Sequence, residues 1–132
     1  MSTFQEIRNK ILVGTLFSTP SGRSTFFWSK SDELKVQIKI GSKKTLLTIP
    51  SDCFDKLPEF IMNKEWVLIG ATHGTPPKGS VDEFLQQFSH GTSVASYVVP
   101  IFEKMGIIEV SKNQPKKIHW LGNSLYLPKK GT

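Results

Sequence analysis

Lys112, Lys116 and Lys117 crowd into six residues, with Asn113, Gln114 and Pro115 among them. Ammonium groups at such spacing suit a run of phosphate oxygens. Each neutralised phosphate releases counterions, so binding would weaken with salt at a log–log slope of about −0.9 per contact. Asn113 and Gln114 add uncharged donors and acceptors. Lys129 and Lys130 follow, and no Asp or Glu occurs after Val110, so the chain has a cationic end. The plainer reading is a lysine-rich turn that keeps a sheet edge soluble.

A second group lies upstream. His90, Thr92, Ser93, Ser96 and Tyr97 surround the start of a helical pattern, and Ser93, Ser96 and Tyr97 would share its exposed face with Thr92 or Pro100. Hydroxyls bond phosphates and several base edges alike, but they read sequence weakly beside Arg or Asn, and this helix has no Arg. The alternative is a helix with a structural or protein-contacting role. His90 reads as a turn residue within reach of a phosphate. Lys35, Lys39, Lys43 and Lys44, with Lys30 and Arg23 nearby, form a further basic set beside Phe26, Phe27 and Trp28. An exposed aromatic among lysines is a stacking platform for single strands. Burial in a core is the commoner fate of aromatic rings.

Catalytic patterns are sparse. Glu33-Leu34-Lys35 matches the E-x-K half of a metal-dependent nuclease site. That chemistry needs a second carboxylate to share Mg²⁺, yet adjacent Asp32 would point away and Glu6 is the only other acid upstream. A turn at Asp32-Glu33 is the simpler reading. His73, His90, His119 and Cys53 show no C-x-x-C or H-x-x-x-H spacing. Gly70 to Gly79 is rich in glycine but lacks the G-K-[ST] ending of a phosphate-cradling loop, so it reads as a connector. Neither a metal nor a cofactor is expected, and no catalysis of the chain's own.

The elements that would position these groups follow from periodicity. Thr3 with Glu6 makes a capping-box pattern, and Phe4, Ile7, Ile11 and Leu12 share a helical face, which predicts a helix from Thr3 to Leu12. Ser24 to Ser29, Leu34 to Ile40 and Lys44 to Ile49 read as three antiparallel strands, the middle one alternating Leu34, Val36, Ile38, Ile40 with polar residues. Ser51 or Asp52 caps a helix to Met62, with Pro58 setting its first part apart, and Trp66 to Ile69 is a strand. Ser80 with Glu83 opens a helix that His90-Gly91 breaks. Thr92 or Ser93 caps the next, whose stripe is Val94 or Ala95, Val98, Val99, Phe102 and Met105. Gly106 ends it. Ile107 to Val110 and Lys116 to Leu121 then pair as a two-stranded ribbon, with one of His119 and Trp120 packed and the other facing out.

Two helices around a short turn, the second ending in Glu103-Lys104-Met105-Gly106-Ile107-Ile108-Glu109-Val110 and running into a hairpin, resemble the winged-helix family. With the helix and strand upstream, the resemblance spans residues 51–121. It implies an α+β fold: a winged-helix domain over residues 51–132, carrying an N-terminal helix and small antiparallel sheet over residues 1–50. It also implies that the second helix of the pair sits near a DNA groove, and that the hairpin is a wing.

The bulk numbers agree with that picture. The chain has 132 residues and a net charge of +6, which favours an anionic partner. Cys53 is the single cysteine, which excludes an internal disulfide and fits a reducing cytoplasm, or a nucleus in a eukaryote. No apolar run approaches the roughly 20 residues of a membrane helix, so no membrane partner is expected. Met1 to Lys10 does not read as a secretory signal. The reading is a non-catalytic protein that binds double-stranded DNA, as a transcriptional regulator or as the targeting part of a restriction or modification system. Its contacts would be His90, Thr92, Ser93, Ser96, Tyr97, Lys112, Asn113, Gln114, Lys116, Lys117, Lys129 and Lys130. The strands of residues 1–50 offer an edge for a homodimer or a partner protein. The alternatives are an adaptor domain of the same fold and a small metal-dependent nuclease.

Overall fold

Val36, Ile38 and Ile40 point to one side of a central strand, and that side is the floor of the core. The computed structural model describes residues 2–71 and 74–122, and it is a mixed α+β structure. Strands β1 (Leu16–Ser18), β2 (Thr25–Ser31), β3 (Lys35–Ile40) and β4 (Thr45–Pro50) form an antiparallel sheet in the order β1-β2-β3-β4. Register follows the pattern of burial. Phe26 lies opposite Phe17 and Ile40, Trp28 opposite Ile38, and Val36 opposite Ile49, so the buried apolar groups fall on one face. The β2–β3 register shifts between Trp28 and Lys30, where Ser29 is the extra residue of a bulge.

Helix α1 (Thr3–Lys10) packs Phe4 and Ile7 into this core. It is capped by Ser2, whose Oγ accepts from the Gln5 N–H at 3.1 Å, one residue earlier than the expected Thr3. Thr3 is buried instead. The helix also ends before Leu12. That side chain was expected on the buried face but is 75% exposed, because the chain turns away at Ile11 to run beside β2. The segment expected as one helix over residues 51–62 is two short ones, α2 (Asp52–Asp55) and α3 (Leu57–Ile61), with Pro58 in the first turn of the second. There proline costs no helical hydrogen bond.

The remaining elements are β5 (Trp66–Leu68), α4 (Val81–Gln86), α5 (Ala95–Lys104), β6 (Ile108–Val110) and β7 (Lys117–Trp120). Residues 107–121 do pair as neighbouring strands: Ile108 faces Trp120 and Val110 faces Ile118. Strand β5 lies on the other side of β7, giving a second antiparallel sheet in the order β5-β7-β6. Gly106 takes φ +76° and closes α5, the left-handed conformation that glycine adopts without a Cβ penalty. One apolar cluster runs through both sheets and all the helices. Phe4 packs on Phe54 (ring centroids 5.3 Å) and Trp28 (6.4 Å), and Phe54 packs on Phe102 (6.2 Å). Residues 1–50 are therefore packed on the rest through shared core side chains.

Candidate nucleic-acid interface

Helix α5 is fixed at its start by a residue of the preceding helix. Neither Thr92 nor Ser93 caps it, as the sequence suggested. Val94 occupies the cap position without a side-chain bond, since Val has no acceptor. The acceptor comes from Asp82 in the first turn of α4, whose Oδ1 takes the Ala95 N–H at 3.3 Å. The Ser93 hydroxyl donates to both Asp82 oxygens at 3.0 Å, and the Gln86 amide donates to Oδ2 at 3.0 Å. A carboxylate there complements the positive end of the α5 dipole. The serine half of the box expected at the start of α4 is present, with Ser80 Oγ accepting from the Glu83 N–H at 3.1 Å, but Glu83 Oε1 takes the Gly79 N–H at 2.7 Å, because the Ser80 N–H donates to the Pro77 carbonyl.

Pro100 lies inside α5 and is buried, where the sequence had placed it beside the exposed face. It has no N–H to offer the Ser96 carbonyl one turn back. Tyr97 is half-buried, its ring edge-on to Phe26 at 5.2 Å and 89°. The start of α5 is thus braced against β2 on one side and against α4 on the other.

A cleft of about 620 Å³ opens beside this helix end. Ser93, Ser96 and Tyr97 line it from α5, and Gln114, Pro115 and Lys116 from the tip of the β6–β7 hairpin. Thr19, Pro20, Ser21, Arg23 and Ser24 line it from the β1–β2 turn, and Leu68 to Ala71 with Pro77 from the end of β5 and the loop beyond. Arg23 and Lys116 are the charged side chains of this lining, and no carboxylate belongs to it among the described residues. The β1–β2 turn is held by Thr19: its N–H donates to the Ser24 carbonyl at 2.9 Å, and its Oγ1 accepts from the Ser24 N–H at 3.3 Å. The hairpin tip is tied to the cleft floor, where the Ile69 N–H donates to the Lys116 carbonyl at 3.0 Å. Gly70, at φ +72°, passes so close to Ser80 that a Cβ would lie 2.5 Å from the serine Cβ, which fixes glycine in this wall.

Of the residues read from sequence as contacts, Ser93, Ser96, Tyr97, Gln114 and Lys116 come together in this cleft. His90, Thr92, Lys112, Asn113 and Lys117 are exposed and outside it. Lys129 and Lys130 lie outside the described residues, as does His73. The Ser93 hydroxyl is already committed to Asp82. The Lys116 ammonium folds back to the Lys112 carbonyl at 3.0 Å. His90 has φ +55°, so the break between α4 and α5 uses two left-handed residues, His90 and Gly91. Sequence reading missed the β1–β2 turn as a wall of this site. Its signal was the Thr-Pro-Ser-Gly turn followed by Arg23, but turn chemistry does not say what a turn faces.

No protein-family model matches this chain, nor does any curated protein or solved structure. Glu33 and Lys35 are both exposed. Lys35 pairs with Asp32 at 2.9 Å, and Asp32 Oδ1 accepts from the N–H groups of Leu34 (2.8 Å) and Lys35 (3.1 Å). The Lys35 hydrogen bond, with those from the backbone, holds the Asp32 carboxyl below its ordinary range. This is the turn reading of Asp32-Glu33, with the lysine turned to its neighbour. His119 stacks on Trp66 at 5.0 Å, and its Nδ1 lies 2.7 Å from the Glu65 carbonyl, while Trp120 packs against the core. Phe26 and Trp28 are buried, and Phe27 faces the other side of the sheet, half-buried beside Lys39.

Proposed function

We propose that the chain is a non-catalytic module that binds duplex DNA, with residues 51–122 forming a winged helix. The order of elements supports the fold reading: helix, strand, a pair of helices, and a hairpin whose strands join the earlier one in a single sheet. The observation that carries the binding reading is the cleft. Five side chains picked from sequence meet there with Arg23, and among the described residues the lining holds two cations and no carboxylate. A polyanion placed in it would meet hydroxyls from α5 and cations from both sides. Binding is mainly electrostatic, because α5 carries no Arg and its Ser93 hydroxyl is occupied. A role in transcriptional regulation or in targeting a modification system fits such a module.

The test is a salt titration of a labelled duplex with the unaltered chain and with Lys112, Lys116 and Lys117 all changed to Ala. The altered chain is expected to lose affinity for all sequences alike, with a salt slope shallower by roughly 3. Affinity indifferent to salt, or none at low salt, rejects the proposal. A second reading, a protein-binding adaptor, is favoured by one feature. Leu16, Phe27, Lys39 and Leu46 stand side by side across the outward face of the first sheet, with Leu16 65% and Leu46 53% exposed. Salt-insensitive binding of a protein partner would favour it over DNA.

A further inference from the structure

The net charge of +6 is unevenly placed. Residues 51–122, which hold the helix pair and the hairpin, carry seven basic and eight acidic side chains. Residues 23–50 carry six basic and two acidic ones. The proposed winged-helix portion is therefore close to neutral, and its three hairpin lysines sit on a body that does little to attract a polyanion. The largest share, four of the six net charges, belongs to residues 23–50, with two more from Lys129 and Lys130.

Topology sorts that excess further. In an antiparallel meander the first and third turns fall at one end of the sheet and the second at the other. The first turn carries Arg23 and the third carries Lys43 and Lys44. The two turns are neighbours at this end, since the Gly41 N–H of the third donates to the carbonyl of Thr25, the residue at which β2 leaves the first, at 2.8 Å. The second turn, at the far end, carries Asp32 and Glu33 beside Lys30 and Lys35, and Lys35 is paired with Asp32. One end of the sheet is thus cationic and the other balanced. The cationic end is the one whose first turn forms a wall of the cleft. Lys43 and Lys44 are exposed, and Lys44 stands at φ +55° at the hairpin corner, where its Lys44 N–H donates to the Gly41 carbonyl at 3.1 Å.

We infer that the binding surface for duplex DNA does not stop at the cleft but continues over this end of the sheet, with Arg23, Lys43 and Lys44 as backbone-phosphate contacts. The N-terminal β-rich part is then a second phosphate-binding wall facing the hairpin. This rests on the duplex-binding reading above, and it assigns to residues 1–50 the larger share of the electrostatic attraction. The contacts position the duplex and carry no sequence information.

The experiment compares four chains on one labelled random-sequence duplex: the unaltered chain, the hairpin-lysine variant above (Lys112, Lys116 and Lys117 to Ala), a sheet-end variant (Arg23→Gln, Lys43→Gln, Lys44→Asn) and a far-end variant (Lys30→Gln, Lys35→Gln). Asn is used at position 44 because it tolerates a left-handed backbone. Unchanged circular dichroism and melting temperature establish that each variant is folded. The sheet-end variant is expected to lose about 0.9 of slope per cation removed. Raising salt from about 50 to 200 mM should therefore weaken it roughly forty-fold less than the unaltered chain. The far-end variant should keep the unaltered slope. Equal losses per cation removed in the sheet-end and far-end variants would mean that only net charge matters, and would overturn the inference. So would an unaltered slope in the sheet-end variant while the hairpin-lysine variant still lost its own, and in that case the duplex-binding proposal would stand. No duplex binding by the unaltered chain at low salt would overturn both.

Discussion

The buried Cys53 shows how much of a residue's chemistry its surroundings set. Its thiol is fully covered, and its Sγ lies 3.9 Å from the Leu85 carbonyl. Loss of solvation, with the Asp52 charge adding to it, pushes the thiol up from 9.0 to about 12. The acidic neighbours Asp52 and Asp55 are visible in the sequence and argue against a lowered value. Burial, the larger cause, was not visible there. The folded protein holds the proton that the unfolded chain releases above pH 9.0, so this contribution to stability is complete below that pH. It is lost as pH climbs toward about 12. Urea midpoints measured at pH 8 and about pH 10 should therefore fall more steeply for the unaltered chain than for Cys53→Ala. A thiol reagent at pH 8 should modify Cys53 only at the rate of unfolding, because the thiolate is the nucleophile. Rapid modification of the folded chain would contradict the burial.

At the scale of elements, two helix starts are capped from a distance. Asp55 of α2 accepts the Phe4 N–H of α1 at 2.8 Å, and Asp82 of α4 accepts the Ala95 N–H of α5. Each carboxylate neutralises orphan amides and locks the relative placement of two helices. The α5 cap matters most for the cleft, since Ser93, Ser96 and Tyr97 reach it only if the helix start is held. Changing Asp82 to Ala leaves the buried Ala95 N–H and the half-buried Ser93 hydroxyl and Gln86 amide without their acceptor. The expected cost is about 2–4 kcal/mol, read as a lower urea midpoint with an unchanged m-value. Asp82→Asn keeps the shape and one acceptor oxygen and should cost less. A loss under about 0.5 kcal/mol for Asp82→Ala would show that water replaces the carboxylate and that the cap is incidental.

For the whole molecule, the shared core decides what can be cut. Phe4 from α1 fills the space between Trp28 of the sheet and Phe54 of α2, and all three are buried. Removing residues 1–50 would expose the Phe54 ring and the α1 side of α2. The fragment 51–132 should lack a cooperative thermal transition when followed by near-ultraviolet circular dichroism. In the full chain, Phe4→Ala alone should cost about 3–5 kcal/mol. A fragment that melts cooperatively near the temperature of the full chain would show the shared core to be dispensable. The same continuity lets one end of the first sheet and the hairpin tip face each other across a cleft.

Periodicity alone determined most of the element order. The strand alternation at Val36 to Ile40, the Ser80 box, the α5 stripe and the Gly106 exit were all legible, because each is a local pattern read within one or two turns of chain. Helix ends and caps were less so. Thr3 and Ser93 have the right chemistry for a cap, but Ser2 and Asp82 have the right position. The meeting of Arg23 with Lys116, the diversion of Ser93 to Asp82, and the separation of the sheet lysines into a cationic end and a balanced one were decided by tertiary structure. They depend on which turns share an end of a sheet and which helix lies beside another. Those relations link residues tens of positions apart, and no local preference encodes them.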